Sequence, residues 1–173
     1  NHSNQTVIEN SQRNCLTEAS RIARGNITEL SNIDIKSFDA FIFPGGFGVA
    51  KNFTDYAFNG EKASIDPDIK NLIITAHNNQ IPMGFMCISP ILAALSISNL
   101  TLTIGSDETT ANHINSFGSQ HQSSHVSEVI IDEKNKIVST AAYMENTNIV
   151  ELHKSIKTLV SKVGEFIKVA INA

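Results

Sequence analysis

The sequence predicts an α/β protein, a mainly parallel sheet covered by helices on both faces. Three observations carry this. Short apolar runs alternate with amphipathic helical patterns along the chain, an order that favours parallel strands joined by helices. Two of those runs end in loops whose residues suit ligand chemistry, Pro44-Gly45-Gly46 and Cys87-Ile88, as expected beyond the carboxyl ends of parallel strands. The chain has 173 residues, 41% of them hydrophobic, enough for one ordinary domain with a substantial core.

The elements follow in order. Cys15, Leu16, Ala19, Ile22 and Ala23 recur at helical spacing, so 7–24 reads as a helix stopped by Gly25. Residues 26–30 suit a short strand or an extended link. "FDAFIFPGG" (38–46) is a compact apolar strand, and "GFGVAKN" after it is a glycine-rich loop. Asp66-Pro67 opens a helix to about Asn78, with Ile69, Leu72, Ile73 and Ala76 toward the core. A strand over 81–86 and a helix over 90–95 come next. "LTLTIG" (100–105) reads as a strand, and 109–117 as a short helix closed by Gly118. Residues 129–132 and 137–140 form a hairpin around the charged turn 133–135. The last helix spans 149–170, with Leu152, Ile156, Leu159, Val160, Val163 and Ile167 on one side. With no internal repeat and no low-complexity linker, the whole chain, 1–173, is expected to form a single domain.

Composition excludes some functions. The net charge is −4 and the isoelectric point about 5.8, so there is no basic stripe to bind nucleic acid. The apolar runs are too short to span a bilayer. Two distant cysteines, Cys15 and Cys87, make no disulfide framework, and a reducing cytoplasm is the simplest expected setting. No His stands at metal-ligand spacing from a Cys, so a metal site is not expected.

Cys87 is the residue on which function turns. It is either a buried small hydrophobe or a nucleophile between a strand end and a helix opened by Ser89-Pro90. In the second case the N–H groups of the turn and helix favour a thiolate and can bind an oxyanion. The neighbouring Pro-Gly-Gly loop can bring a further backbone donor close. A base is also needed. Downstream, His113, His121 and His125 are candidates; His77 and His153 lie on helices, and Glu18 reads as a solvated helical charge.

The segments "EASRIARGNI", "FDAFIFPGGFGVAKNFTDYAFNG", "PMGFMCISP", "LTIGSDETTA" and "VIIDEKNKIVSTAAYM" together resemble the enhancing-lycopene-biosynthesis (ElbB-type, sigma cross-reacting protein) family. That family lies within the PfpI-like, class I glutamine-amidotransferase-like superfamily. The resemblance implies a three-layer flavodoxin-like sandwich with Cys87 at a nucleophile elbow. It implies that Gly45 and Gly46 shape an oxyanion pocket, to which Gly46 and Ile88 offer N–H groups. It also implies a further β-α-β segment upstream, carrying an acidic partner for the cysteine. The Met-less opening at Asn1 is expected to reflect the absence of that segment.

The chain departs from the superfamily pattern at two points. Ile88 follows the cysteine, and "IGSD" (104–107) stands where other branches place a His, so glutaminase or protease chemistry by a Cys-His-acid triad is not expected. The resemblance instead implies a weak, cofactor-free glyoxalase acting on small aldehydes or dicarbonyls through Cys87, in a homodimer. The base this reaction still requires is not supplied by the resemblance, and His121 is the candidate taken from the residues. The other expectation is a non-catalytic homodimeric binding or redox-responsive protein. Either is tied to isoprenoid biosynthesis through the family.

Overall fold

The computed structural model describes residues 13–171. By its internal contacts the chain divides into two units, Asn1–Asp34 and Ile35–Ala173.

The first unit contains α1 (Cys15–Ile22), capped by Asn14, whose side chain accepts the Thr17 N–H at 3.1 Å. Glu18 pairs with Arg13 at 3.2 Å and Arg21 at 3.7 Å. The Arg13 hydrogen bond is the main cause holding its carboxyl below the usual range. The apolar stripe expected on this helix is present in sequence but not interior. No residue of α1 is buried, and Ile22 is 89% exposed. Residues 7–12 of the expected helix lie outside those described. No strand forms at 26–29; a single 3-10 turn follows at Leu30–Asn32.

The second unit is the α/β body. Its main sheet contains β1 (Phe41–Phe43), β2 (Met83–Met86), β6 (Ile137–Thr140) and β5 (Ile130–Asp132), in that spatial order. β1 and β6 both run parallel to β2, and β5 is antiparallel to β6, which gives the expected mainly parallel sheet. The hairpin turn at 133–135 also forms. The register sets Phe43 beside Phe85 and Phe85 beside Ser139.

Helices cover both faces. α3 (Pro67–Asn78) starts at Asp66, whose carboxylate accepts the N–H groups of Asp68 and Ile69. It buries Ile69, Leu72, Ile73 and Ala76, the four positions the periodicity selects. α3 packs against α4 (Pro90–Ser96), and α4 lies against β2. On that face Met83 and Phe85 are fully buried, and Phe85 stacks on Phe43 with centroids 4.7 Å apart.

The opposite face carries α6 (Ile149–Ile171), started by Asn148, whose side chain accepts the N–H groups of Val150 and Glu151. Leu152, Ser155, Leu159 and Val163 form its buried stripe. Val160, expected on that side, is 48% exposed, one position around from Leu159. The helix lies close because Gly84 has no side chain. A Cβ there would stand 2.7 Å from Leu159 Cδ2 and 3.2 Å from Val163 Cγ2.

The strand expected over 100–105 is shorter. Only β3 (Thr101–Leu102) pairs, and its partner is β4 (Gln120–His121), in a separate two-stranded parallel sheet. Side chains rather than a backbone ladder tie it to the hairpin. The Thr101 N–H donates to the Asp132 carboxylate, and the Thr103 N–H to the Ser139 hydroxyl, both at 2.9 Å. α5 (Glu108–Ser116) lies between β3 and β4 in the chain. A π-helical turn at Val49–Phe53 and the short α2 (Tyr56–Asn59) occupy the link after β1. Among the described residues no helix is long and apolar enough to cross a membrane.

Replacing Gly84 with alanine places a methyl against the fully buried Leu159 and close to Val163, so both side chains must shift within the core. The expected cost is about 1–3 kcal/mol of stability, read by urea unfolding of Gly84→Ala beside the parent chain.

Candidate functional site

The carboxyl ends of the parallel strands meet at Cys87. β2 ends at Met86, and the chain turns into α4 through Cys87, Ile88 and Ser89. Cys87 has φ of +60°, a left-handed conformation uncommon for a residue with a Cβ. Two neighbours impose it. The Cys87 N–H donates to the Thr140 carbonyl at the end of β6, at 3.0 Å. The Ser89 hydroxyl, fully buried, accepts the Met86 N–H at 2.8 Å and lies 2.7 Å from the Phe43 carbonyl and 2.9 Å from that of Met86. It shares its single proton between those two carbonyls, binding the end of β1 to the cysteine turn.

Gly45 closes the site from the β1 side. A Cβ on it would stand 2.5 Å from Cys87 Cβ and 3.0 Å from Sγ, so only a glycine lets this backbone pass the thiol. Gly46 follows with φ of +102°. Its carbonyl accepts the N–H groups of Val49 and Ala50. Among the described residues, the N–H groups of Gly46 and Ile88 donate to no protein acceptor. Cys87 is a free, half-buried thiol, and Cys15 is free and exposed.

The histidines lie in other settings. His121 sits on β4, where Nε2 accepts the Ile104 N–H at 3.3 Å and its own backbone N–H donates to Asn115. Burial pushes its pKa down, favouring the neutral ring that this acceptor role requires. His113 meets the Tyr56 hydroxyl through Nδ1 at 2.8 Å. Burial raises the Tyr56 pKa, so the phenol stays protonated. His125 is bound locally to Ser127, and His77 to Asn135 in the hairpin turn. The structure thus brings Gly45, Gly46, Cys87 and Ile88 together, and no hydrogen bond joins His121 to Cys87. Among the described residues no cluster of three or more His, Cys, Asp or Glu side chains is placed to hold a metal.

Sequence reading missed two supports of this arrangement. Ser89 reads as the residue before a helix-opening proline, although its hydroxyl is the junction of three backbone groups. The Glu145 carboxylate accepts the N–H and the hydroxyl of Ser106, at 2.6 and 2.7 Å, across a separation no local pattern signals.

Two outcomes follow. In Gly45→Ala the new methyl covers Sγ, so alkylation of Cys87 by iodoacetamide slows by about tenfold or more while alkylation of Cys15 is unchanged; labelled peptides are quantified by mass spectrometry. His121 adds a pH dependence. Its folded pKa lies below the ordinary 6.5, so between the two values the unfolded chain binds more protons. Its contribution is complete above about 6.5 and is lost as pH falls through the folded value. Unfolding of His121→Gln between pH 7.5 and 5 should show a shallower loss of stability than the parent.

No protein-family model matches the chain. It is 36% identical over 173 residues to the human glutamine amidotransferase-like class 1 domain-containing protein 3, mitochondrial, covering 95% of this chain and 65% of that protein. The rat ES1 protein homolog, mitochondrial, is 35% identical with the same coverage. The chain thus spans slightly less than two thirds of the length of these relatives. A solved structure of an isoprenoid biosynthesis protein with an amidotransferase-like domain from Ehrlichia chaffeensis matches with a TM-score of 0.82 and 31% identity, over 96% of this chain and 76% of that one. With this fold, and at this similarity and coverage, the chain belongs to the class I glutamine-amidotransferase-like family.

Proposed function

We propose that Cys87 is the nucleophile of a weak, cofactor-free glyoxalase that converts glyoxal-type dicarbonyls to hydroxy acids. The observation that carries this reading is the close passage of Gly45 against a strained Cys87, with the Gly46 and Ile88 N–H groups left without protein acceptors. Such a turn presents a thiol beside two donors suited to a developing oxyanion.

The chemistry balances without an external oxidant. The Cys87 thiolate adds to one aldehyde carbon of glyoxal and forms a hemithioacetal, whose oxygen the two N–H groups can receive. A proton then passes from that carbon to the second one through an enediol, which oxidises the first carbon and reduces the second. The product is a glycolyl thioester. Water cleaves the carbon–sulfur bond, releasing glycolate and restoring the thiol. The proton transfer needs a base. His121, the candidate from sequence, has one ring nitrogen committed to Ile104, and in this reading it supports the β3–β4 pairing.

The finer placement belongs to the same proposal. The chain is read as a member of the enhancing-lycopene-biosynthesis branch, associated with isoprenoid biosynthesis, and as a homodimer. The Ehrlichia protein, an isoprenoid biosynthesis protein with an amidotransferase-like domain, supports the association with isoprenoid biosynthesis. Two free thiols support a reducing compartment, proposed as the cytoplasm; the human and rat relatives carry "mitochondrial" in their names.

A second reading rests on a different observation. Among the described residues no side chain hydrogen-bonds the Cys87 thiol, which suits a binding or redox-responsive protein that turns nothing over.

One experiment separates the two. Glycolate formation from glyoxal is followed by NMR for the parent, Cys87→Ser and Cys15→Ser. The proposal expects turnover in the parent and in Cys15→Ser, with a loss of about a hundredfold or more in Cys87→Ser. Equal turnover in Cys87→Ser overturns the nucleophile assignment. A parent that makes no glycolate but reversibly forms a sulfenate at Cys87 supports the second reading.

A further inference from the structure

We propose that Glu145 is a positioning residue for the cysteine turn, acting through the turn that follows β6. The inference goes beyond the glyoxalase reading: it concerns how Cys87 is held, whatever its thiol attacks.

A continuous series of contacts links Glu145 to Cys87. The Glu145 carboxylate accepts both the N–H and the hydroxyl of Ser106, in the turn after β3. Gly105, φ +94°, presses that turn against the turn after β6. A Cβ on it would collide with the Glu145 carboxylate and lie 3.0 Å from the Ala141 Cβ. Ala141 directly follows Thr140, whose carbonyl receives the Cys87 N–H. Between them and Glu145 lies Ala142, buried and held at φ +43°, a left-handed conformation that alanine adopts only under constraint.

The constraint has an identifiable origin. From Ala142 the chain makes a 3-10 turn to Met144, and Glu145 is the first residue beyond it. Its backbone N–H returns to the Ala142 carbonyl at 3.3 Å, while its side chain is fastened to Ser106. The five residues from Ala141 to Glu145 are therefore tied at both ends, one end carrying the peptide that orients Cys87. Ser106 is fixed in turn, because Asp107 beside it caps α5 by accepting the Thr110 N–H at 2.8 Å. If the carboxylate is removed, the left-handed residue loses its tether and the Thr140 peptide can rotate. The Cys87 N–H then loses its acceptor, and the strained turn relaxes.

Amide hydrogen exchange tests this on the full chain and does not depend on any activity. Backbone exchange is compared at Cys87 and over residues 140–145 for the parent, Glu145→Ala, Glu145→Gln and Ser106→Ala. Amides in the middle of α3, such as Ala76, serve as the internal reference. Glutamine keeps a carbonyl oxygen able to accept from Ser106, and Ser106→Ala keeps the backbone half of the contact. The expected result in Glu145→Ala is exchange at the Cys87 amide faster by about tenfold or more relative to Ala76. Glu145→Gln should return most of that protection, and Ser106→Ala should fall between. A Cys87 amide unchanged relative to Ala76 overturns the proposal. So does acceleration spread evenly over Cys87 and α3, which would make Glu145 a general contributor to stability. Lack of recovery in Glu145→Gln also overturns it, since acceptance by an oxygen is then not what holds the turn. Failure of the glyoxalase reading appears separately, as absent glycolate formation in the parent with Cys87 exchange still dependent on Glu145.

Discussion

The buried hydroxyl of Ser89 is the contact around which the cysteine turn is organised. A polar group with no access to water must find its partners inside the protein. Ser89 finds three, the Met86 N–H and the carbonyls of Phe43 and Met86. Those groups belong to two different strands at the point where both stop pairing. The hydroxyl thus replaces the ladder where the ladder ends, and it lets the chain leave β2 at a sharp angle without abandoning a backbone donor. Leaving such a donor unpaired would cost about 1–3 kcal/mol, comparable to the strain of a left-handed cysteine. The turn persists because the two quantities are of the same size and the surrounding contacts tip the balance.

Packing on the two faces of the sheet then fixes where the turn points. On one face Met83 and Phe85 are large and fully buried under α4; on the other Gly84 admits α6 almost to the backbone. This asymmetry seats β2 firmly between its helices, so its carboxyl end is a rigid platform. The glycines at the site work differently. Gly84 allows a helix to approach, Gly45 allows a neighbouring loop to approach the thiol, and Gly46 supplies a conformation that reverses the chain.

How much of this was legible depended on the range of the interaction involved. α3 was readable to the residue, because its cap, its proline and its four core positions are all local signals. The hairpin was readable for the same reason. α1 shows the limit of periodicity: an amphipathic stripe marks a helix but does not say that the stripe is covered, and here it is not. β3 was read too long because "LTLTIG" carries strand propensity throughout, while beyond Leu102 its amides are claimed by the Ser139 hydroxyl and the His121 ring. The chemistry at Cys87 was legible as a position, a cysteine between an apolar strand and a Ser-Pro helix start. Its left-handed backbone was not, since nothing in a cysteine signals positive φ. The bond of Glu145 to Ser106 spans 39 residues and leaves no trace in either neighbourhood.

The pairing of the Cys87 amide with Thr140 has a consequence for biosynthesis. The two residues are 53 positions apart, and the strand that carries Thr140 is also the inner neighbour of β2. The hydrogen bonds within α3 and α4 are local, so their residues are all available soon after they emerge, although helices this short are only marginally stable before they pack. A growing chain cannot complete the sheet around β2 until the hairpin has been made, because long-range strand pairing must wait for its partner. Throughout that interval Cys87 sits in an unfinished nascent chain, without the acceptor that sets its geometry. The turn therefore cannot take its final form until the chain has been made through Thr140.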